Sequence, residues 1–370
     1  MASLLRRLPW PGRAWRPITF SNPNFTRISL DEKIEEELFP DYIASRYYPV
    51  RIGEVLRDRY QIVGKLGFGA TSTVWLARDL DGRRHVALKL FVNSESLGKQ
   101  LEHELSMYRR TSISVAKHPG REAVRNLLDS FDVFGPDGSH RCLVHPPLWE
   151  SALAFLHRNP VRRLPSPVLA FILRRLFLAL DFLHSECRII HTDGADCHGT
   201  VIKADDIMFG INDDSVFTKF EEQELHHPSP RKLVDDGRRV IYSSRELQMP
   251  KDWGAPILCD FGSAVVDDRE HLEDVQPDIY RAPEVILEAP WSNKIDIWNT
   301  GCMNLACIIG DFRPDIPVPS NVPLEERETH LEGENRDKFL AMMRKMLQWD
   351  PVRRSSAKEL AEDEWIMDNI

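Results

Sequence analysis

The spacing of apolar and polar positions changes character along the chain. After Arg59, β-branched and aromatic residues alternate with polar ones in YQIVGKL, in STVWLARDL and, past a turn at Asp81-Gly82, in HVALKLF. A period of two marks half-buried strands, so these runs predict an antiparallel meander. Leu101 to Arg110 predicts one short helix, and Val124 to Val144 predicts further strands. From Ser166 the period lengthens: Pro167 suits a first helical turn, and Leu169, Ile172, Leu173, Leu176, Leu180 and Leu183 recur at helical spacing. Asp337 to Trp349 repeats that pattern with Phe339, Leu340, Met343, Met346 and Leu347, and Ser356 with Glu359 predicts a capping box for a last helix. The fold class is therefore α+β, a small β-rich part followed by a larger helical part.

Two stretches break the pattern. Met1 to Leu30 holds five arginines and no acid, after which Asp31 opens a run with Glu32, Glu35, Glu36, Glu37 and Asp41. An Arg-rich, acid-free start is similar to a mitochondrial presequence, but Pro9, Pro11 and Pro17 interrupt the helix such a signal needs. Residues 1–45 are thus expected to form a flexible extension. Residues 211–256 are polar and rich in Asp, Glu, His and Pro, which predicts an inserted surface segment.

Composition narrows the class. With 42% hydrophobic and 28% charged residues in 370, the chain is neither disordered nor collagen-like. Its longest apolar stretch, Phe171 to Leu183, is interrupted by Arg174, Arg175 and Asp181, short of the roughly 20 apolar residues a membrane helix needs. Six cysteines without a CxxC pair indicate neither a disulfide framework nor a zinc site. A net charge of −9 argues against a broad nucleic-acid surface and suits a basic partner.

Several short motifs carry chemistry. In LGFGATSTV, Gly67 and Gly69 would let backbone N–H groups approach a phosphate with no Cβ in the way, although an ordinary hairpin turn has the same pattern. Lys89 in VALK follows on a strand pairing with that hairpin, where a cation can meet phosphates, and Glu104 or its neighbour Glu102 could fix it. IIHTD supplies Asp193, KADDIMFG supplies Lys203 and Asp206, and LCDFGSA supplies Asp260. Carboxylates beside phosphate oxygens hold Mg²⁺, and a further carboxylate can accept the proton of an attacking hydroxyl. RAPEVIL with Glu284, DIWNTGC with Asp296 and DPVRRSSA with Arg354 complete the series.

In this order the motifs resemble those of a eukaryotic protein kinase, most closely the SR-protein kinase group and its fungal relatives. The resemblance rests on LGFGATSTVWLARD, on IIHTD with Thr192 in place of the usual arginine, and on LCDFGSA and QPDIYRAPEVIL, and it covers Tyr48 to Trp365. It implies a two-lobed fold: an N-lobe at 46–145, and a C-lobe at 146–370 with the 211–256 insert and a shortened region at 303–335. It also implies ATP and Mg²⁺ as cofactors. Gly67 and Gly69 would then cover the phosphates with Ser72 at the third glycine position, Val74 and Ala87 would flank the nucleotide, and Lys89 would pair with Glu104. Asp193 would be the base, Lys203 would steady the γ-phosphate, and Asp206 and Asp260 would bind the metal. Pro146 would offer its carbonyl to adenine and Leu148 its N–H, since proline loses only its own N–H. The resemblance further implies Arg/Ser-rich protein substrates, no direct nucleic acid or membrane partner, a monomer, and a location in cytoplasm and nucleus, with the mitochondrion as the alternative.

Departures from the family pattern are specific. Asp206 stands thirteen residues after Asp193 instead of five, so Gly194 to Val201 is an insertion in the catalytic loop, and Asp206 replaces an asparagine. After DIWNTGCM, NLACIIGDFRPDIPVPSN leads quickly to EERETHLEGENRDKF, and NLACIIG fits either the end of one helix or the start of the next. These features leave a pseudokinase, or an imperfect gene model of an ordinary kinase, as alternatives. Between Gly262 and Arg281 only Ser263 and Tyr280 bear hydroxyls, against six acids, so switching by loop phosphorylation is not expected.

Overall fold

Strands form where the alternation predicts them. The computed structural model describes residues 14–93, 95–114, 117–161, 163–192, 204–276, 280–309, 323–328 and 330–370. Strands β1 (Val55–Leu56), β2 (Tyr60–Gly69), β3 (Ser72–Asp79) and β4 (Arg84–Phe91) precede helix α1 (Glu95–Ile113), which is longer than expected. Strands β5 (Asp129–Gly135) and β6 (Gly138–His145) lead to α2 (Ala152–Arg158) and α3 (Ser166–Asp181). There follow β7 (Ile189–Ile190), β8 (Ile207–Ile211), α4 (Ser215–His226), β9 (Arg231–Val234), β10 (Arg239–Tyr242), β11 (Trp253–Leu258) and β12 (Val265–Val266). The remaining helices are α5 (Pro283–Ile286), α6 (Lys294–Ile309), α7 (Leu324–Arg327), α8 (Gly333–Met346), α9 (Ala357–Ala361) and α10 (Glu364–Asp368).

The chain divides into two compact units. Unit 1 comprises the residues up to Gly98 with Asn126–Trp149 and Ile211–Trp253, and unit 2 comprises Lys99–Arg125, Glu150–Gly210 and Gly254–Ile370.

Unit 1 is built on a six-stranded sheet in the order β1-β2-β3-β4-β6-β5, antiparallel throughout. Alternate residues Ile62, Trp75, Leu88, Leu90, Cys142 and Val144 bury one face in a common core. Val240 and Tyr242 of β10 belong to that same core. The 211–256 insert is therefore not a loose addition to the helical part, as its polarity suggested. Its residues to Trp253 fold onto unit 1, where α4 buries Val216, Phe217 and Phe220 and β9 pairs with β10. The polar residues that disguised it are consumed internally: the buried Glu224 carboxylate accepts from Ser229 N and Oγ, Arg231 and Arg245.

The described part of the 1–45 extension is likewise packed, contrary to the flexible segment expected. Trp15 donates its backbone N–H to Leu80 and its ring lies tilted against His85 at 5.4 Å, and Gln61 exchanges hydrogen bonds with the backbone of Ile18. The acid run supplies counter-charges. Glu35 and Glu36 pair with the fully buried Lys65 of β2, and Glu37 pairs with Lys232 of β9 at 2.9 Å.

Unit 2 centres on α3, whose Leu169, Ile172, Leu173, Leu176 and Leu180 are buried and whose neighbours are α9 and α10. A π-helical turn, Phe182–Cys187, ends it, and Arg188 in the left-handed region turns the chain into β7, which pairs with β12. Arg354 is fully buried and grips Glu284 with two hydrogen bonds of 2.7 and 3.0 Å. Ser356 and Glu359 form the capping box that the sequence predicts, and NLACIIG continues α6 as far as Ile309.

Two stability predictions follow from unit 1. A Cβ on Gly64 would lie 2.7 Å from the Phe220 ring, so Gly64→Ala should lower stability by about 1–3 kcal/mol in a chemical denaturation curve, and no change would mean that α4 is not held there. Burial pushes the Glu54 carboxyl up from 4.5 to about 7, only partly offset by Arg51. A raised folded-state value means that this group's contribution is full below pH 4.5 and lost as pH rises through 7. Glu54→Gln should therefore gain stability over the parent at pH 8 and show no gain at pH 4, read as the difference between the two denaturation curves.

Candidate active site

In unit 1 the glycine hairpin arises from β2 and β3, with Gly67 opposite Val74 and Gly69 opposite Ser72. Val74 is in turn opposite Lys89, Lys89 opposite Leu143, and Ala87 opposite His145. Residues that face each other across a sheet share a side, so Gly67, Val74, Lys89 and Ala87 all stand on the face away from the Trp75 and Leu88 core. Pro146 and Leu148 continue directly from the end of β6. The structure thus brings Gly67, Gly69, Ser72, Val74, Ala87 and Lys89 to one side of one sheet, with Pro146 and Leu148 just past its end.

The glycines are informative because the fold does not demand them. A Cβ on Gly67 would meet nothing within 4 Å, and neither Gly67 nor Gly69 has a positive φ. Their missing side chains instead leave open space beside the backbone N–H groups, which suits a phosphate. Lys89 is half-buried and its ammonium lies 4.7 Å from the Phe91 ring centroid.

Unit 2 holds the carboxylates. Phe261 is fully buried, edge-on to Tyr108 of α1 at 5.2 Å and to His191 at 5.4 Å, while its neighbour Asp260 is exposed. The backbone at Asp260 lies in the left-handed region at φ 61°, and its Oδ1 accepts from Gly262 N at 3.1 Å. Cys259 N donates to the Asp206 carbonyl at 2.7 Å, so the two metal-ligand candidates sit on hydrogen-bonded segments. Glu104 is buried, whereas its rival Glu102 is exposed. A Cβ on Gly262 would lie 4.0 Å from the Glu104 carboxylate and 3.3 Å from that of Asp260, placing Glu104 beside the DFG turn. Burial, reinforced by Glu104, pushes the Tyr108 hydroxyl well above its ordinary range, so it stays protonated. Among the described residues no three His, Cys, Asp or Glu side chains are grouped to hold a metal. A divalent ion at Asp206 and Asp260 would complete its shell from phosphate and water oxygens, as Mg²⁺ commonly does. Asp193, Lys203 and the insertion between them lie outside the described residues.

Asp296 is the residue whose role the motif series did not reveal. It is fully buried on α6 and accepts from His191 N at 2.9 Å, Thr192 N at 3.1 Å and His184 Nε2 at 2.8 Å. The backbone leading into Asp193 is thereby fixed by one carboxylate. Thr192, at φ 45°, sends its hydroxyl to the Ser263 carbonyl. The apolar IIH before the motif and the apolar helix around DIW were the available signals, but nothing in the sequence pairs them.

A model of the protein kinase domain matches residues 251–366. A serine/threonine protein kinase of Aspergillus fumigatus is 37% identical over 418 aligned residues, which cover 99% of this chain and 98% of that protein. The chain belongs to the protein kinase family. Within it the kinase is similar to SR-protein kinases: it is 32% identical to the serine/threonine-protein kinase SRPK of Physarum polycephalum over 75% of this chain and 67% of that protein. It is also 35% identical to human SRSF protein kinase 3, over 59% of this chain and 38% of that one. A kinase-domain crystal structure at 17% identity shares the fold, with a TM-score of 0.61 over 87% of this chain and 99% of that one. The α+β fold class and the two-part kinase architecture stand accordingly.

For this kinase, Asp296→Asn should set an amide NH₂ against donors now satisfied by a carboxylate, at a cost of about 1–3 kcal/mol. The expected readout is faster amide exchange at His191 and Thr192, and unchanged exchange there would remove Asp296 as their anchor.

Proposed function

We propose that this chain transfers the γ-phosphate of ATP to serines in Arg/Ser-rich proteins. The observation that carries the substrate class is the segment after the DFG turn. Asp268, Glu270, Glu273 and Asp274 are exposed there, against Arg269, which pairs with Glu273, the buried His271, and Arg281, which pairs with Asp274 at 3.3 Å. Backbone N–H groups of Leu272 and Glu273, with Arg269, hold the Glu273 carboxyl below its ordinary range, so it is ionised at neutral pH. Such a surface favours a polycationic peptide and speeds its encounter. The relatives named as SR-protein kinases support the same substrate class.

Roles follow from residue chemistry. Gly67 and Gly69 give backbone donors to the phosphates, Lys89 adds a cation, and Pro146 and Leu148 offer the adenine a carbonyl and an N–H. Asp206 and Asp260 hold Mg²⁺, which when bound offsets the charge of the phosphate oxygens. Asp193 orients the serine hydroxyl and accepts its proton, and Lys203 steadies the transferred group. Gln276 ties this segment to the chain beyond it: its buried side chain donates to the Ile295 carbonyl at 3.1 Å and accepts from Ala282 N at 3.0 Å, a tether that requires no loop phosphate. A pseudokinase is the second reading, favoured by the eight residues Gly194 to Val201 inside the catalytic loop.

The deciding experiment gives phosphatase-treated full-length chain Mg-ATP and an Arg-Ser repeat peptide, and scores phosphoserine by mass spectrometry. We expect transfer that is lost in Asp260→Asn and falls at least about tenfold when the peptide arginines become alanine, since desolvated charge pairs are worth a kcal/mol or more. Nucleotide binding without transfer would establish the pseudokinase. Equal transfer to the alanine peptide would remove the Arg/Ser specificity.

A further inference from the structure

Residues 35–47 and the polar insert are not used by the mechanism above, yet both lead to the glycine hairpin. Glu35 and Glu36 pair with Lys65, which precedes Gly67 by two residues and whose ammonium lies 5.2 Å from the Phe68 ring centroid. Phe39 meets the Phe68 ring edge-on at 5.8 Å. The Tyr47 hydroxyl donates to the Ala70 carbonyl at 3.2 Å, at the tip itself. The segment therefore touches the hairpin before, between and after its two glycines. Desolvation and the nearby Glu36 push the Tyr47 hydroxyl up to about 12, so it remains a donor at any physiological pH.

The insert in turn grips this segment. Lys232 donates to the Glu37 carboxylate at 2.9 Å and to the Glu32 carbonyl at 2.9 Å. Ser244 donates its backbone N–H and its hydroxyl to Glu35, and Arg239 donates to the Tyr47 carbonyl at 2.6 Å. Asn93 N adds a bond of 2.7 Å to the Arg46 carbonyl from the end of β4.

We propose that residues 35–47 are a positioning element for the glycine hairpin, with Tyr47, Phe39 and the Glu35 and Glu36 pairs to Lys65 setting where its backbone donors lie, and that 231–245 clamps this element in place. The inference rests on the nucleotide role of the hairpin given above. Polar contacts at the tip fix a backbone that the glycines leave without side-chain packing, so removing them lowers affinity for the phosphates without touching the peptide. The tip loses its hydrogen bond in Tyr47→Phe, and the clamp is weakened in Lys232→Met, which removes the hydrogen bonds to Glu32 and Glu37.

The test uses the full chain with steady-state kinetics, titration with a fluorescent ATP analogue, and thermal unfolding. Tyr47→Phe should raise KM and Kd for nucleotide about 3- to 10-fold, the equivalent of one lost hydrogen bond, while leaving KM for the peptide unchanged. Lys232→Met should act in the same direction. Val133→Ala, in the sheet core at β5, should lower the unfolding temperature and leave nucleotide affinity alone. Unchanged nucleotide affinity in folded Tyr47→Phe overturns the proposal, as does an equal loss in Val133→Ala, which would show general loosening of unit 1. A parent chain that binds no nucleotide overturns the hairpin's nucleotide role itself, and is told apart because the parent fails before any variant is compared.

Discussion

A charge can leave water only if partners replace the hydrogen bonds it gives up, and each unit is organised around charges that have done so. In unit 1 these are Lys65, Lys232 and Glu224, and in unit 2 Asp296 and the Arg354–Glu284 pair. Hydrophobic burial would accept many arrangements of these chains, since apolar contacts are non-directional. A buried carboxylate with three or four donors accepts far fewer. Asp296 fixes two consecutive backbone N–H groups and an imidazole at once, so the segment before Asp193 has one position relative to α6. Glu224 does the same for the β9 approach and for Arg245.

The DFG turn shows how opposite solvation demands are met by adjacent residues. Phe261 needs an apolar enclosure and finds it between Tyr108 and His191, whereas Asp260 is exposed. The backbone turns between them, with Asp260 at φ 61° in the left-handed region. Aspartate tolerates that region better than most residues because its short carboxylate can bond locally, and Gly262 N supplies the bond. The residue before Asp260, Cys259, is tethered by its backbone N–H to the Asp206 carbonyl.

What the sequence made legible was local. The meander, α3 and the last capping box could be read because alternation, helical spacing and a Ser-x-x-Glu pair act within a few residues. The motif order identified a kinase, since each motif keeps its residues within one short turn. What escaped depended on pairing across distance. The change from arginines to acids near Asp31 was plain in the sequence, but nothing there says that Glu36 meets Lys65 or that Glu37 meets Lys232, 195 residues away. The insert looked solvent-facing because its polar residues outnumber Phe217, Phe220 and Tyr242. Yet Glu224, Arg231, Arg239 and Arg245 satisfy partners within unit 1 instead of facing water. Asp296 was visible as part of DIW, while its backbone partners in IIHTD lie over a hundred residues upstream.

The phosphate role proposed for the glycine hairpin would carry a conflict that gives the convergence of such distant segments on it a physical reason. Close approach requires residues without a Cβ, and Gly67 has open space where one would be. The same absence removes the packing that would otherwise define where the donors lie, and glycine has the most backbone freedom to lose. A hairpin of this kind has to be located by what surrounds its glycines. Lys65, Phe68 and the Ala70 carbonyl are those surroundings, and each is held by a group from residues 35–47. Two features that composition alone presents as disposable, an acidic extension and a polar insert, are then the means by which a flexible turn acquires a fixed position.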